Sequence, residues 1–461
     1  MRNRITARLA GVAALLLTLA PAVACAQHAA PAEATAAATS AEARRADLTV
    51  FRERFLAPDR SYSDAARAEA ERRVAALDAA AGDVSQAYFE LELARIVALA
   101  DNGHTAFFAG PRSRRYNRAE LRLFPIGGDF YVLRARAENA DLLGARLVAI
   151  DGRPIAEVRA VAQTLAGGTP AWRDRFANYF LESPEQMHAL GVTADPARAA
   201  YSFALADGRT VERQIQIDPP NSNRARANAD RWFYPEPVEG VETAEEGWRS
   251  LLSVEAAPWA LQDPNTRFRW RRAPEIDGIV IEFRQNNNAQ DYPIAQAIAA
   301  FEAAIAAEQP RNIVIDQRMN GGGDLNTTRT FMRAIPALVP GRIFVLTSPW
   351  TFSAAISSVG YLEQTAPERV TIVGEMVGDR LNFFSEGDVI QLPNSDAAIL
   401  NATERHDYQT GCRGYEDCHG SVIRNPIAVE TLAPDIEAPW TIEAYRAGRD
   451  PAMEAVAAAL R

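Results

Sequence analysis

The chain has 461 residues, with 49 Lys+Arg against 59 Asp+Glu and a net charge of −10. Every one of the 49 basic residues is arginine. This excludes Schiff-base and pyridoxal-phosphate lysines, the P-loop lysine and a lysine general base. Arginine cannot stand in, because guanidinium stays protonated at any working pH. The acidic balance, with no basic stripe, excludes the usual electrostatic footprint of a nucleic-acid binder. With 48% hydrophobic residues and roughly 100–200 residues per domain, the chain reads as a globular protein of several domains.

Residues 1–26 read as a secretory signal. Arg2 and Arg4 precede the apolar stretch Leu9–Ala20, which is too short to span a bilayer, and Ala24-Cys25-Ala26 fits a cleavage site. The competing reading is a lipid anchor at Cys25 after Ala22-Val23-Ala24. Either way the protein is expected to be exported, periplasmic or extracellular. Residues 27–46, rich in Ala, Thr, Ser and Glu, read as a linker.

Apolar spacing predicts helices through residues 47–112, with a polar stop at Asp101-Asn102-Gly103. Residues 113–218 change to short strands. Phe130–Leu133 and Arg146–Ile150 lead to a turn at Asp151-Gly152 and a helix from Ala156 to Leu165, and a hairpin turns at Asp207-Gly208. Residues 219–273 are polar and Pro-rich, an irregular connection. From residue 274 to 461 strands and helices alternate: Ile279–Phe283, Pro293–Ala307, Asn312–Asp316, Thr327–Leu338, Ile343–Thr347, Ser353–Leu362 and Val370–Val373. Such alternation predicts a βαβ core with a mostly parallel sheet.

With Cys25 removed or lipidated, Cys412 and Cys418 remain as an even pair and predict a small-loop disulfide in an oxidising compartment. A metal site with His406 and His419 is the alternative, but Cys-x5-Cys-His is not a zinc spacing. No metal and no cofactor are expected.

Ser353 follows the apolar strand Ile343–Thr347 and the turn Pro349-Trp350, which places it at the start of a helix. Unpaired N–H groups and the helix dipole there suit an oxyanion beside a nucleophile. A plain helix-capping serine has the same address. Asn320-Gly321-Gly322-Gly323 lies at the C-terminal end of a neighbouring strand, where parallel sheets place their sites. A base for Ser353 must come from His28, His104, His188, His406 or His419. His104 stands out, in a loop just past a helix end.

Together, Asp316-x-Arg318-x-Asn320-Gly321-Gly322-Gly323, Thr351-Phe352-Ser353-Ala354-Ala355, Gly374-Glu375 and Ala433-Pro434-Asp435-Ile436 resemble the C-terminal processing proteases and their tricorn-type relatives. Leu142–Gly152 is similar to the ligand-groove segment of a PDZ-like domain, and Asn102-Gly103-His104-Thr105 to the Gly-His-Thr segment of the histidine-using branch. The resemblance runs from about residue 45 to the end. It implies an α/β multidomain fold: an N-terminal helical region, a PDZ-like β-rich domain and a parallel βαβ core of ClpP/crotonase type. It implies that Ser353 is the nucleophile and His104 the base. Ala354 and a glycine of the 321–323 run, taken as Gly322, would form the oxyanion hole.

The main branch uses a lysine about 25 residues after the serine, where this chain has Gly374–Arg380 without lysine. Histidine is therefore the implied base. The resemblance also implies a glutamate roughly 60 residues after the serine to orient the histidine; Glu404, Asp407 and Glu416 are the candidates, and Glu404 is taken as the expected acid. The implied partner is an extended or C-terminal polypeptide segment, gripped by β-addition to the PDZ-like domain. A peptide-binding or scaffolding protein that cannot hydrolyse is the competing class. An α/β-hydrolase esterase is a third, weakened because Gly-x-Ser-x-Gly is absent and His104 precedes the serine.

Overall fold

Each of the first three helices starts on a serine whose hydroxyl accepts an N–H three residues on. Ser40 caps α1 (Ala41–Val50), Ser63 caps α2 (Asp64–Ala79) and Ser85 caps α3 (Gln86–Ala98). The computed structural model describes residues 40–221, 229–242, 247–290 and 292–461. The signal segment and Cys25 lie outside them. Among the described residues no helix is long and apolar enough to cross a membrane.

The expected linker stops short of residue 46, because α1 begins at Ala41. Alanine-rich sequence favours helix once capped, and the fully buried Asp47 anchors this one. Its carboxylate accepts the backbone N–H groups of Asn394 and Ser395, 2.8 and 2.9 Å away. The helical region is thus fastened to a hairpin from the other end of the chain.

The β-rich domain contains β1 (Leu121–Ile126), β2 (Asp129–Arg136), β3 (Arg146–Ile150), β4 (Ala200–Ala204) and β5 (Thr210–Gln214), all paired antiparallel. Helix α4 (Ile155–Gln163) follows β3. Helix α5 (Pro170–Leu181) has no counterpart in the sequence reading, although Thr169 caps it and Pro170 occupies its first turn. Helix α5 lies against β1. The outer edge of β1 cannot serve as a ladder for β-addition. Leu123 N–H already donates to Glu182 Oε1 (2.8 Å), and Pro125 has no N–H.

The core sheet has the order β6-β7-β8-β9-β10-β13. Its strands are β6 (Phe268–Ala273), β7 (Gly278–Phe283), β8 (Asn312–Asp316), β9 (Ile343–Thr347), β10 (Val370–Gly374) and β13 (Ile436–Glu437); β6 is antiparallel and the rest are parallel. Strands β8, β9 and β10 are buried at every residue, as a parallel sheet covered on both faces requires. The predicted irregular connection gives up Phe268–Ala273 to this sheet. Its Arg-Trp-Arg-Arg interior reads as polar because an edge strand is half exposed. Helices α6 (Ile294–Glu308), α7 (Leu325–Leu338) and α8 (Ala354–Thr365) cover one face. The final helix α9 (Pro451–Ala459) covers the other. Two short strands, β11 (Asn382–Ser385) and β12 (Glu404–Asp407), pair antiparallel between β10 and β13 in sequence.

Candidate active site

Strand β9 ends in a tight turn that carries Ser353 into α8. Ser353 sits at φ +57°, ψ −127°, a region that crowds a Cβ and costs on the order of 1–3 kcal/mol. The surroundings impose it. Phe352 N–H donates to Asn320 O (3.0 Å), Thr351 Oγ1 to Gln317 O (2.9 Å), and Ser348 Oγ to Arg318 O. Behind them Asn286 spans the layers, donating to Ala354 O (2.9 Å) and Ser358 Oγ (3.1 Å) and accepting from Asn320 Nδ2 (2.8 Å). The nucleophile turn is thereby tied to the glycine loop after β8.

Ala354 is the first residue of α8, and its N–H has no acceptor among the described residues. Gly322 is placed differently from the sequence expectation. Its N–H donates to Asn320 Oδ1 (2.9 Å), so it is not open to a ligand. What Gly322 supplies is space. A Cβ there would lie 2.6 Å from Ser353 Cβ, 2.7 Å from Phe352 O and 3.0 Å from Ala354 N, and its φ is +95°. Gly322→Ala is therefore expected to push the serine turn aside. It should slow covalent labelling of Ser353 at least about a hundredfold, the scale of losing one oxyanion donor. Labelling at the parent rate would show that the turn tolerates the methyl.

His104 reaches the same turn from the loop after α3. Its ring, 8% exposed, is sandwiched between Phe352 (4.3 Å between centroids) and Phe383 of β11 (4.7 Å, 5° between planes). Phe352 stacks in turn on Trp172 of α5 at 3.6 Å. The loop is held by Asn102, whose amide donates to Phe384 O (2.9 Å) and accepts from Phe384 N (3.1 Å). Thr105 Oγ1 donates to the buried Asp59 (3.2 Å). Both nitrogens of the His104 ring are buried, and neither makes a well-aligned hydrogen bond among the described residues.

The carboxylate beside that ring is Asp379. Its Oδ2 lies 3.3 Å from His104 Nδ1, close enough for an ion pair but off the line of a good hydrogen bond. Gly103 makes the approach possible, since a Cβ there would meet Asp379 Oδ2 and Phe352 at 2.9 Å. Arg380 brings the next residue in, donating to Asp101 O (2.6 Å) and Asp101 Oδ2 (2.7 Å). Asp379 falls within the lysine-free stretch Gly374–Arg380 and was not among the expected site residues. The signal was its position, 26 residues after Ser353, where the main branch has its lysine.

Glu404 is elsewhere. Paired with Ser385 across β11–β12, it meets His419 Nδ1 at 2.8 Å rather than His104. A second pair, His406 Nε2 with Glu386 Oε1 (3.1 Å), lies alongside, and the His406 and His419 rings stack at 5.3 Å and 6°. Burial holds His406 below its usual pKa, with Glu386 opposing the shift. Glu386, His406 and His419 bring ligand atoms within 4.8 Å of one another. Parallel rings do not suit a shared ion, which has to lie in the plane of each imidazole. Cys412 and Cys418 close a disulfide just before His419. His188 stands apart, with Nδ1 3.1 Å from Thr193 O, and His28 lies outside the described residues.

The fold has solved counterparts. Mature CPAF complexed with lactacystin superposes with a TM-score of 0.53 at 14% identity, over 91% of this chain and 98% of that one. A serine-to-alanine mutant of CPAF gives 0.53 at 14%, over 92% and 96%. The chain shares the fold of mature CPAF. The α/β multidomain architecture expected from the sequence is the one observed. No family model matches the chain, and no curated protein matches it in sequence. At 14% identity the likeness to CPAF is one of fold, and the chemistry of the site rests on its own geometry.

Proposed function

We propose that this chain is an exported serine peptidase with a Ser353–His104–Asp379 relay. The observation that carries the reading is the wedging of His104 between Phe352 and Phe383, with a carboxylate at its Nδ1 and the strained serine one residue from its stacking partner. Ser353 Oγ attacks the scissile carbonyl while His104 Nε2 takes its proton. Asp379 keeps the proton on Nδ1 and offsets the imidazolium charge. The Ala354 N–H and the N-terminal end of α8 stabilise the oxyanion. His104 then protonates the leaving amine, and water activated by the same base releases the acyl group. Asp379 replaces Glu404 as the acid, and Gly322 contributes room rather than a donor. The disulfide fits an oxidising compartment. The substrate is a polypeptide, held by contacts other than a strand added to β1.

The test is covalent labelling with a fluorophosphonate, followed by peptide mapping. One adduct at Ser353, absent in Ser353→Ala, is expected. No adduct in protein with a folded circular-dichroism spectrum would sink the peptidase and leave a peptide-binding role.

A further inference from the structure

Beside the nucleophile turn, away from the relay, lies a cavity of about 240 Å³ at the junction of β1, the α4–α5 pair and the core. Its wall is aromatic. Phe124 lies parallel to Trp350 (5.0 Å, 4°) and to Phe233 (4.7 Å, 8°), and Trp440 stands edge-on to Phe233 (5.3 Å, 88°). Two carboxyls line this space: Asp174, paired with Arg159 on the same lining, and Glu375, immediately after β10. Burial pushes the Glu375 carboxyl up to about 7, only partly opposed by the Trp440 backbone N–H and by Arg318.

No nearby cation belongs to Glu375. Arg318 is held by Asp316 (2.7 Å) and Asp450 (2.7 Å). Arg159 is held by both oxygens of Asp174 and by Gly128 O (2.9 Å). Among the described residues Glu375 joins no ion pair, and the buried Trp350 Nε1, on the same wall, has no hydrogen-bond partner.

We propose that this cavity takes an arginine or lysine side chain of the polypeptide substrate, with its stem along the aromatic wall and its charge against Glu375. The inference rests on the peptidase reading for the word substrate. Small-molecule sites run from about 300 to 1,000 Å³, so this volume suits one long side chain. Aromatic faces attract cations and accept aliphatic stems. An acidic guest would be repelled, and an aliphatic guest would leave the carboxyl against hydrocarbon with no cation beside it. Trp350 is three residues before Ser353, which places the guest close to the scissile bond.

The test uses Ser353→Ala protein, so that binding is read without hydrolysis. Fluorescent decapeptides from a positional library are compared in pairs, identical except for arginine against its neutral isostere citrulline. At one position the arginine peptide is expected to bind about tenfold tighter. Glu375→Gln should reduce that ratio to under about twofold and leave the citrulline peptide unchanged. If Glu375→Gln fails to fold, the parent decides: the ratio should fade as pH falls from 8 to 5 and Glu375 takes up its proton. The other charges around it are Arg318, Arg159, Asp174, Asp316 and Asp450, already paired with one another, and Arg175 over the Trp350 ring. Equal binding of the twins, a preference that survives both Glu375→Gln and pH 5, or no peptide bound at all would overturn the proposal. Labelling of Ser353 reads the peptidase separately, so either reading can fail alone.

Discussion

His104→Ala is expected to slow fluorophosphonate labelling of Ser353 by about ten-thousandfold, the scale of removing a general base. A serine hydroxyl is a weak nucleophile until its proton has somewhere to go. Among the described residues His104 is the imidazole stacked on the residue before the serine. The next ring, His406, lies beyond Phe383, 5.1 Å from it between centroids. The loss should appear in the rate and not in folding. The Asn102–Phe384 and Thr105–Asp59 contacts that hold the loop use neighbouring side chains and remain intact. A residual rate from the Ala354 N–H and the helix dipole should persist. Labelling of the variant within tenfold of the parent would show that another group accepts the proton, with His406 the next to replace.

Asp379→Asn is expected to lower the maximal labelling rate by about a hundred- to ten-thousandfold with the inhibitor's half-saturating concentration unchanged. In the proposed relay the carboxylate, 3.3 Å from His104 Nδ1, compensates the charge that forms on the ring. An amide in its place offers no charge and can donate its N–H₂ to Nδ1, which leaves the ring proton on Nε2, the wrong tautomer. The 3.3 Å gap closes only as charge develops, which is common in ligand-free sites. A purely structural role predicts a different result, loss of folded protein with a normal rate in what remains. Asp379→Glu gives a further check. It restores the charge but adds a methylene against Gly103 and Phe352, so it should recover only part of the rate. Glu404→Gln and Glu404→Asp should leave labelling near the parent rate, because that carboxylate is occupied by His419.

Strands β8 and β9 were legible residue for residue, as Asn312–Asp316 and Ile343–Thr347, because a strand buried on both faces is apolar without interruption. The strand Arg146–Ile150 and the hairpin about Asp207-Gly208 were equally plain, from alternation and turn chemistry. Helix α5 was overlooked although Thr169-Pro170 announces it, and β6 was hidden by arginines that an exposed edge tolerates. The nucleophile turn could be placed from strand-turn-helix order. The state of the Gly322 N–H could not, since a hydrogen bond to the side chain two residues back depends on a local turn that glycine permits but does not dictate.

Composition by itself settled that no lysine takes part, because folding cannot supply an absent residue type. Order and spacing were enough to bring Ser353 and His104 forward as candidates. Which carboxylate stands beside His104 was decided only by the tertiary structure. Asp379 and His104 belong to opposite halves of the chain. They meet because Gly103 has no side chain and Arg380 reaches back to Asp101. Glu404, the expected acid, lies two pairs along the β11–β12 ladder from His406 and is drawn to His419. The reach of a side chain is a few ångströms, and sequence distance says nothing about it until the backbone has closed.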